Sequence, residues 1–219
     1  MKKNINLLFL AITLVAVVSC TKEAKQEQKP ETTTQVQTAN NSVVLQNLQT
    51  AYNGEMNANT RYEAFAKKAD EEGYKQAAVL FRAAAQAEKV HANNLSNVIQ
   101  KMGAKPIADV KNPEVKTTKE NLQTALNGET YEYTKMYPEF LDNAKKEKNI
   151  DAMRAFNFSL QVEKVHAGFY NEAMNNLEKW KKATDDFFVC PVCGFTERGK
   201  RNKPCPICDT PEDMFAVIK

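Results

Sequence analysis

The chain has 219 residues, 42% of them hydrophobic and 26% charged, with a formal net charge of +3; this length fits one main domain plus an appendage. With only 7 Gly and 8 Pro, a turn-rich sandwich or barrel is disfavoured and long helices are expected. Lys2 and Lys3 supply much of the small positive excess, so charge gives no case for a nucleic-acid partner.

Residues 1–20 open with a basic stretch, continue through an apolar run at 7–18 broken only by Thr13, and end in Val17-Val18-Ser19-Cys20. The run is too short for a hydrocarbon core of about 30 Å, and its layout is that of a bacterial export signal. A Cys behind small and aliphatic residues resembles the lipobox of bacterial lipoproteins. That resemblance implies removal of residues 1–19, lipidation of Cys20, and a chain held through lipid to a membrane of the cell envelope, facing the periplasm or exterior. Residues 20–41 balance Lys22, Lys25 and Lys29 against Glu23, Glu27 and Glu31 among Gln, Thr and Asn; such a stretch buries no apolar surface and reads as a tether. Beyond Cys20, all four remaining cysteines lie after position 189. With none spare for a disulfide elsewhere, the framework must come from helix packing and metal.

From Val43 onward the apolar spacing predicts four long helices. The first covers residues 42–72, with Ser42 as N-cap and Gly73 as stop. The second covers 75–102 and is stopped by Gly103. The third covers 118–146, where Thr117 and Glu120 have capping-box spacing, and the fourth covers 150–182. Pro138, inside the third, removes one backbone hydrogen bond and should bend the helix. Short joins make two antiparallel hairpins. Residues 103–116 differ: they hold Pro106 and Pro113 and show no periodicity. The second helix is about 42 Å long, and the extended connection reaches roughly 46 Å. It can therefore run the length of a bundle, as the single long crossover of ferritin-like folds does.

An internal repeat supports this division. The string Leu48-Gln49-Thr50-Ala51-Tyr52-Asn53-Gly54-Glu55 returns as Leu122-Gln123-Thr124-Ala125-Leu126-Asn127-Gly128-Glu129, and Glu88-Lys89-Val90-His91-Ala92 returns as Glu163-Lys164-Val165-His166-Ala167. Each Glu and His falls on an apolar helix face: Ala84, Glu88, His91 and Leu95 on the second helix, and Phe156, Glu163, His166 and Tyr170 on the fourth. The third helix aligns Leu122, Ala125, Glu129, Glu132 and Met136. These polar side chains therefore point inward. Burying that many carboxylates costs several kcal/mol each without partners, and two histidines cannot neutralise them. Glu on each of two helices plus Glu-x-x-His on each of the other two is the ligand set of di-iron or di-manganese bundles. Glu132 has no counterpart after Glu55, where Ala58 stands; it can replace a histidine on one iron as the oxidation state changes.

Residues 185–219 carry Cys190-Pro191-Val192-Cys193 and Cys205-Pro206-Ile207-Cys208, a tetrathiolate pattern for iron or zinc. A unit this small needs the metal to fold, with Phe187, Phe188, Phe195 and Phe215 expected around it.

Taken in order, these motifs resemble rubrerythrins over residues 42–219: an all-α, ferritin-like four-helix bundle with one long crossover, followed by a rubredoxin-like Fe(Cys)4 domain. The expected division is signal 1–19, tether 20–41, bundle 42–183 and small domain 184–219. The resemblance implies two non-haem irons bridged by Glu88 and Glu163, with Glu55 and Glu129 as terminal ligands and His91 and His166 on the first and second iron. Glu132 matches a glutamate that exchanges with histidine on the first iron. Tyr62 and Tyr137 match tyrosines that hydrogen-bond the ligand carboxylates. Cys190, Cys193, Cys205 and Cys208 match the rubredoxin ligands, which favours iron over zinc. The implied activity is reduction of hydrogen peroxide to water, with electrons relayed through Fe(Cys)4 from an unidentified donor. Family members are commonly dimers in which one subunit's rubredoxin centre serves its neighbour, which implies a homodimer or higher homo-oligomer. The competing readings are an iron-oxidising or iron-storing bundle and a non-enzymatic electron carrier.

Overall fold

The computed structural model describes residues 42–182 and 185–219; the predicted signal, Cys20 and the tether lie outside the described residues. Helix α1 spans Val43–Glu71, α2 Lys75–Lys101, α3 Thr118–Tyr131, α4 Tyr137–Lys146 and α5 Ile150–Asn175. Ser42 caps α1 by accepting from the Leu45 amide, and Thr117 with Glu120 forms the expected capping box at α3. Among the described residues no helix is long and apolar enough to cross a membrane.

Pro138 does not simply bend the third helix. A π-helical turn, Glu132–Met136, lies between α3 and α4, and Pro138 sits in the first turn of α4. Widening the turn before a residue without an amide hydrogen shifts the ladder, so the Tyr137 amide reaches back to Glu132 O. Tyr137 itself is fully buried.

The crossover is fastened along α1 by three amide side chains four residues apart. Gln49 Oε1 accepts from the Ile107 amide at 3.0 Å, Asn53 Oδ1 from Asp109 at 2.8 Å, and Asn57 Oδ1 from Lys111 at 3.0 Å. At its far end the Thr118 amide donates to Glu72. A segment without secondary structure thereby satisfies its backbone groups.

The fourth helix is shorter than its apolar spacing suggests. It ends at Asn175, and Leu177–Lys181 form a 3-10 turn that buries Trp180. Past the turn, β1 (Phe187–Val189), β2 (Thr196–Arg198) and β3 (Ala216–Ile218) form an antiparallel sheet in the order β2-β1-β3, with Phe187 opposite Arg198 and Ile218. Phe187 departs from expectation: it joins Trp180 in the bundle's core, its ring 5.2 Å from Phe169. Phe215 packs against Cys190, Cys193 and Cys205, with Phe188, Phe195 and also Phe158 of α5 alongside. The small domain therefore shares apolar surface with the bundle.

The bundle core is divided. One apolar cluster contains Tyr62, Phe65, Phe81, Leu122 and Tyr170; the other contains Leu48, Leu95, Ile99, Tyr137, Phe140 and Phe156. Helices α1, α2 and α5 pass from one cluster to the other, with Glu55, Glu88 and Glu163 near the passage, while α3, which carries Glu129, adds to the first cluster and α4 to the second.

Candidate metal centres

Glu55, Glu88 and Glu129 are 1% exposed, and Glu163, His91 and His166 are fully buried. Their donor atoms fall into two groups, Glu55, Glu88, His91 and Glu163 in one, and Glu88, Glu129, Glu163 and His166 in the other, each with all atoms within 4.8 Å. Glu88 and Glu163 belong to both, and their oxygens are divided between them. Glu88 Oε2 is 2.9 Å from His91 Nδ1 while Oε1 is 3.4 Å from His166 Nδ1. Glu163 Oε1 is 3.0 Å from His91 Nδ1 while Oε2 is 3.2 Å from His166 Nδ1. Such a split is the geometry of a bridging carboxylate.

Several of these atoms lack any hydrogen-bond partner although they are buried: Glu55 Oε2, Glu88 Oε1, Glu129 Oε2, both oxygens of Glu163, and His166 Nδ1. Orphaned charged oxygens are rare and costly in protein interiors. A cation bound at about 2.1 Å has donors about 3 to 4.2 Å apart, so two ions answer for these atoms, and the site fits a two-metal centre.

The electrostatics point the same way. Burial, reinforced by Glu88 and Glu163, holds Glu129 up to about 8, and burial with Glu163 raises Glu55 well above the ordinary carboxylate range. Burial would also raise Glu88, but the imidazoles of His166 and His91 facing its two oxygens bring it down to about 2. Both histidines, although desolvated, are raised well above 6.5 by surrounding carboxylates. Protons thus do in this cluster what divalent cations do better.

The predicted tyrosines lie beside the carboxylates. Tyr62 donates to Glu129 Oε1 at 2.6 Å, and Tyr137 donates to Glu55 Oε1. Glu132 is set apart: it begins the π turn, belongs to neither donor group, and keeps accessible surface. Burial and the neighbouring Glu55 and Glu129 nonetheless raise its carboxyl well above the ordinary range.

The four cysteines form a second centre. Cys190 and Cys208 sulfurs lie 3.5 Å apart, as do those of Cys193 and Cys205. That is far from the disulfide length of about 2.05 Å and near the separation of about 3.8 Å set by a tetrahedral ion with bonds of about 2.3 Å. Hydrogen bonding from Cys193 holds the Cys190 thiol down to about 4.

Sequence reading did not anticipate how the two centres meet. The Cys190–Gly194 knuckle docks on α2, where His91 Nε2 lies 3.1 Å from the Cys193 carbonyl oxygen and Asn94 donates to Val192 O at 2.8 Å. Thr196 Oγ1 lies 3.0 Å from His166 Nε2. In the structure these contacts lie within one chain. Arg198, stacked over Trp180 and paired with Glu172 at 2.9 Å, ties β2 to the end of α5. Gly194, Thr196 and Asn94 carry no sequence signal, because a lone Gly or Thr after a metal knuckle is common turn chemistry and a lone Asn on a helix is an ordinary polar residue.

Comparison with known proteins places the chain in a family. Residues 46–174 match the Rubrerythrin family model. The chain is 39% identical over 178 residues to nigerythrin of Nitratidesulfovibrio vulgaris, covering 79% of this chain and 85% of the relative. It is 33% identical over 181 residues to Rubrerythrin-2 of Clostridium acetobutylicum, covering 81% and 98%. The solved structure of fully reduced, all-ferrous nigerythrin superposes with a TM-score of 0.75 at 38% identity, over 80% of this chain and 86% of that one. The likeness extends over most of the length of these relatives, and the chain belongs to the rubrerythrin family.

Proposed function

We propose that the chain is a di-iron peroxide reductase whose electrons arrive through the tetracysteine site. Two irons held in the bundle site would supply two electrons, which with two protons would convert one hydrogen peroxide to two waters. In this reading Glu88 and Glu163 hold both ions, Glu55 and Glu129 one each, and His91 and His166 complete the two donor groups. Tyr62 and Tyr137 keep the terminal carboxylates in place by donating to one oxygen and leaving the other for metal. Glu132, more accessible than the other four carboxylates, serves as the exchangeable extra carboxylate and as the group best placed to meet solvent protons. The Cys190, Cys193, Cys205 and Cys208 site takes iron rather than zinc, since a carrier of single electrons must change oxidation state.

The observation that carries the proposal is the hydrogen bond between His91 Nε2 and Cys193 O. It joins a ligand backbone of one centre to a ligand ring of the other, an arrangement without purpose in a storage bundle. The amino-terminal reading belongs to the same proposal: Cys20 is lipidated, the protein sits at the cell envelope as a homo-oligomer, and its role is defence against oxidative stress. The support there is the sequence pattern and the family resemblance alone.

Stopped-flow mixing of the reduced protein tests it. Oxidation by peroxide is expected to be much faster than oxidation by O2, and comparable rates would favour the iron-oxidising alternative. Cys205→Ser is expected to leave the first oxidation intact and to block later turnovers; unchanged multiple turnover would remove the relay.

A further inference from the structure

Thr196 opens β2 and is 1% exposed. Its Oγ1 lies 3.0 Å from Gly194 O and 3.0 Å from His166 Nε2. A hydroxyl has one proton to give, and a carbonyl oxygen can only accept, so that proton goes to Gly194. Oγ1 therefore meets His166 as an acceptor, and the imidazole proton must sit on Nε2. In the neutral ring, the form that can bind metal, the Nδ1 lone pair is then left facing Glu88, Glu129 and Glu163, at 3.4, 3.8 and 3.2 Å. His91 is fixed in the same way, because the Cys193 carbonyl can only accept from its Nε2.

We propose that Thr196 is a positioning residue of the bundle's metal centre, setting the tautomer and ring orientation of His166 so that Nδ1 is delivered to one of the two ions. The small domain thus provides the outer partner of both histidines, a carbonyl for His91 and a hydroxyl for His166. It is a wall of the two-metal centre as well as an electron store. Outer partners of metal-bound histidines fix ring geometry and raise ligand basicity. The inference rests on the two-metal centre and is independent of whether peroxide is the substrate, so its test avoids turnover.

The full-length protein, loaded anaerobically with Fe(II), is titrated with a colorimetric chelator while thiolate absorption follows the cysteine site separately. Thr196→Val keeps the shape and removes the acceptor. The expected result is a loss of about 10- to 100-fold in affinity for one bundle ion, with the other ion held more nearly as before and the thiolate bands unchanged. Thr196→Ser, which keeps the hydroxyl, should bind as the parent does. Unchanged affinity in the Val variant, equal weakening of both ions, or a Ser variant as weak as Val would overturn the proposal. A measurement on the parent protein stands even where the Val variant does not fold. Proton NMR of the loaded form should show a slowly exchanging imidazole proton on His166 Nε2, and its absence would equally overturn the assignment.

Discussion

Replacing Glu163 with Gln is expected to empty both bundle positions while leaving the tetracysteine site filled. Glu163 is the buried carboxylate whose two oxygens face His91 and His166 at 3.0 and 3.2 Å and find no hydrogen-bond donor. The amide keeps the volume, so no cavity is opened, but it removes the charge and turns one acceptor into a donor aimed at an imidazole. Losing a ligand common to both donor groups should lower bundle-metal affinity by more than the about 10- to 100-fold typical of losing an outer partner. Metal analysis should show bundle iron gone and the thiolate bands retained. The proposed peroxide reduction should fall with the bundle iron. A Glu163→Gln protein that still holds both bundle ions would rule out the shared-ligand geometry.

The second large effect is expected at Gly194. A Cβ built there would lie 2.5 Å from His91 Nε2 and 3.3 Å from Ala87 O. The backbone is left-handed, with φ +82, which costs a residue with a side chain about 1 to 2 kcal/mol. The sister knuckle shows that φ is the lesser part. Asp209, the residue after Cys208, has φ +60 and is not glycine. What separates the two knuckles is that Gly194 presses on His91. Gly194→Ala should therefore lift the knuckle and break the His91 to Cys193 contact; with iron supplied in excess of the weakened bundle affinity, both metal centres can still be compared loaded. Electron transfer between them should slow by about 100-fold, the scale that a misplacement of about 1 Å can cost. Rapid mixing of the reduced protein with peroxide would read this as normal first oxidation of the bundle site followed by delayed appearance of the ferric thiolate bands. Gly194→Asn, which tolerates positive φ, should be equally slow, because the clash remains. If Asn restored the parent rate, conformation rather than close approach would be the reason for glycine.

Much of the architecture could be read from residue spacing because helix periodicity, caps and stops are local signals. Ser42, Thr117 with Glu120, and the stops after Gly73 and Gly103 need only their neighbours to act. The repeated Glu-x-x-His was legible for a different reason, since acidic residues on apolar faces violate a strong rule and demand an explanation. What escaped were features decided across the fold. The π turn answers both Pro138 and the need to bring Tyr137 to Glu55. The amide ladder of Gln49, Asn53 and Asn57 has the right spacing but no meaning until the crossover lies beside it. Phe187 had two aromatic surroundings to choose between, and its position on β1 facing Phe169 decided for the bundle. Asn175 ends α5 before the apolar spacing does, because Trp180 is buried by turning the chain.

All of these features surround one electrostatic fact, four carboxylates and two imidazoles buried between two apolar clusters. Calorimetric unfolding of the metal-free and metal-loaded protein against pH tests it most directly. In the metal-free protein Glu129, held up to about 8 from an ordinary 4.5, keeps its proton where the unfolded chain has released it. Its contribution is fully present below about 4.5 and lost as pH rises through about 8. Glu55 and both histidines, also raised, act in the same direction. Glu88, lowered to about 2, contributes above about 4.5 and loses its contribution as pH falls toward 2. The metal-free melting temperature should therefore fall steadily as pH rises from about 4.5 to about 8. The loaded protein, with cations in place of protons, should hold its melting temperature through that window and lose it only in acid, as the metal leaves. Superimposable profiles with and without metal would contradict the account.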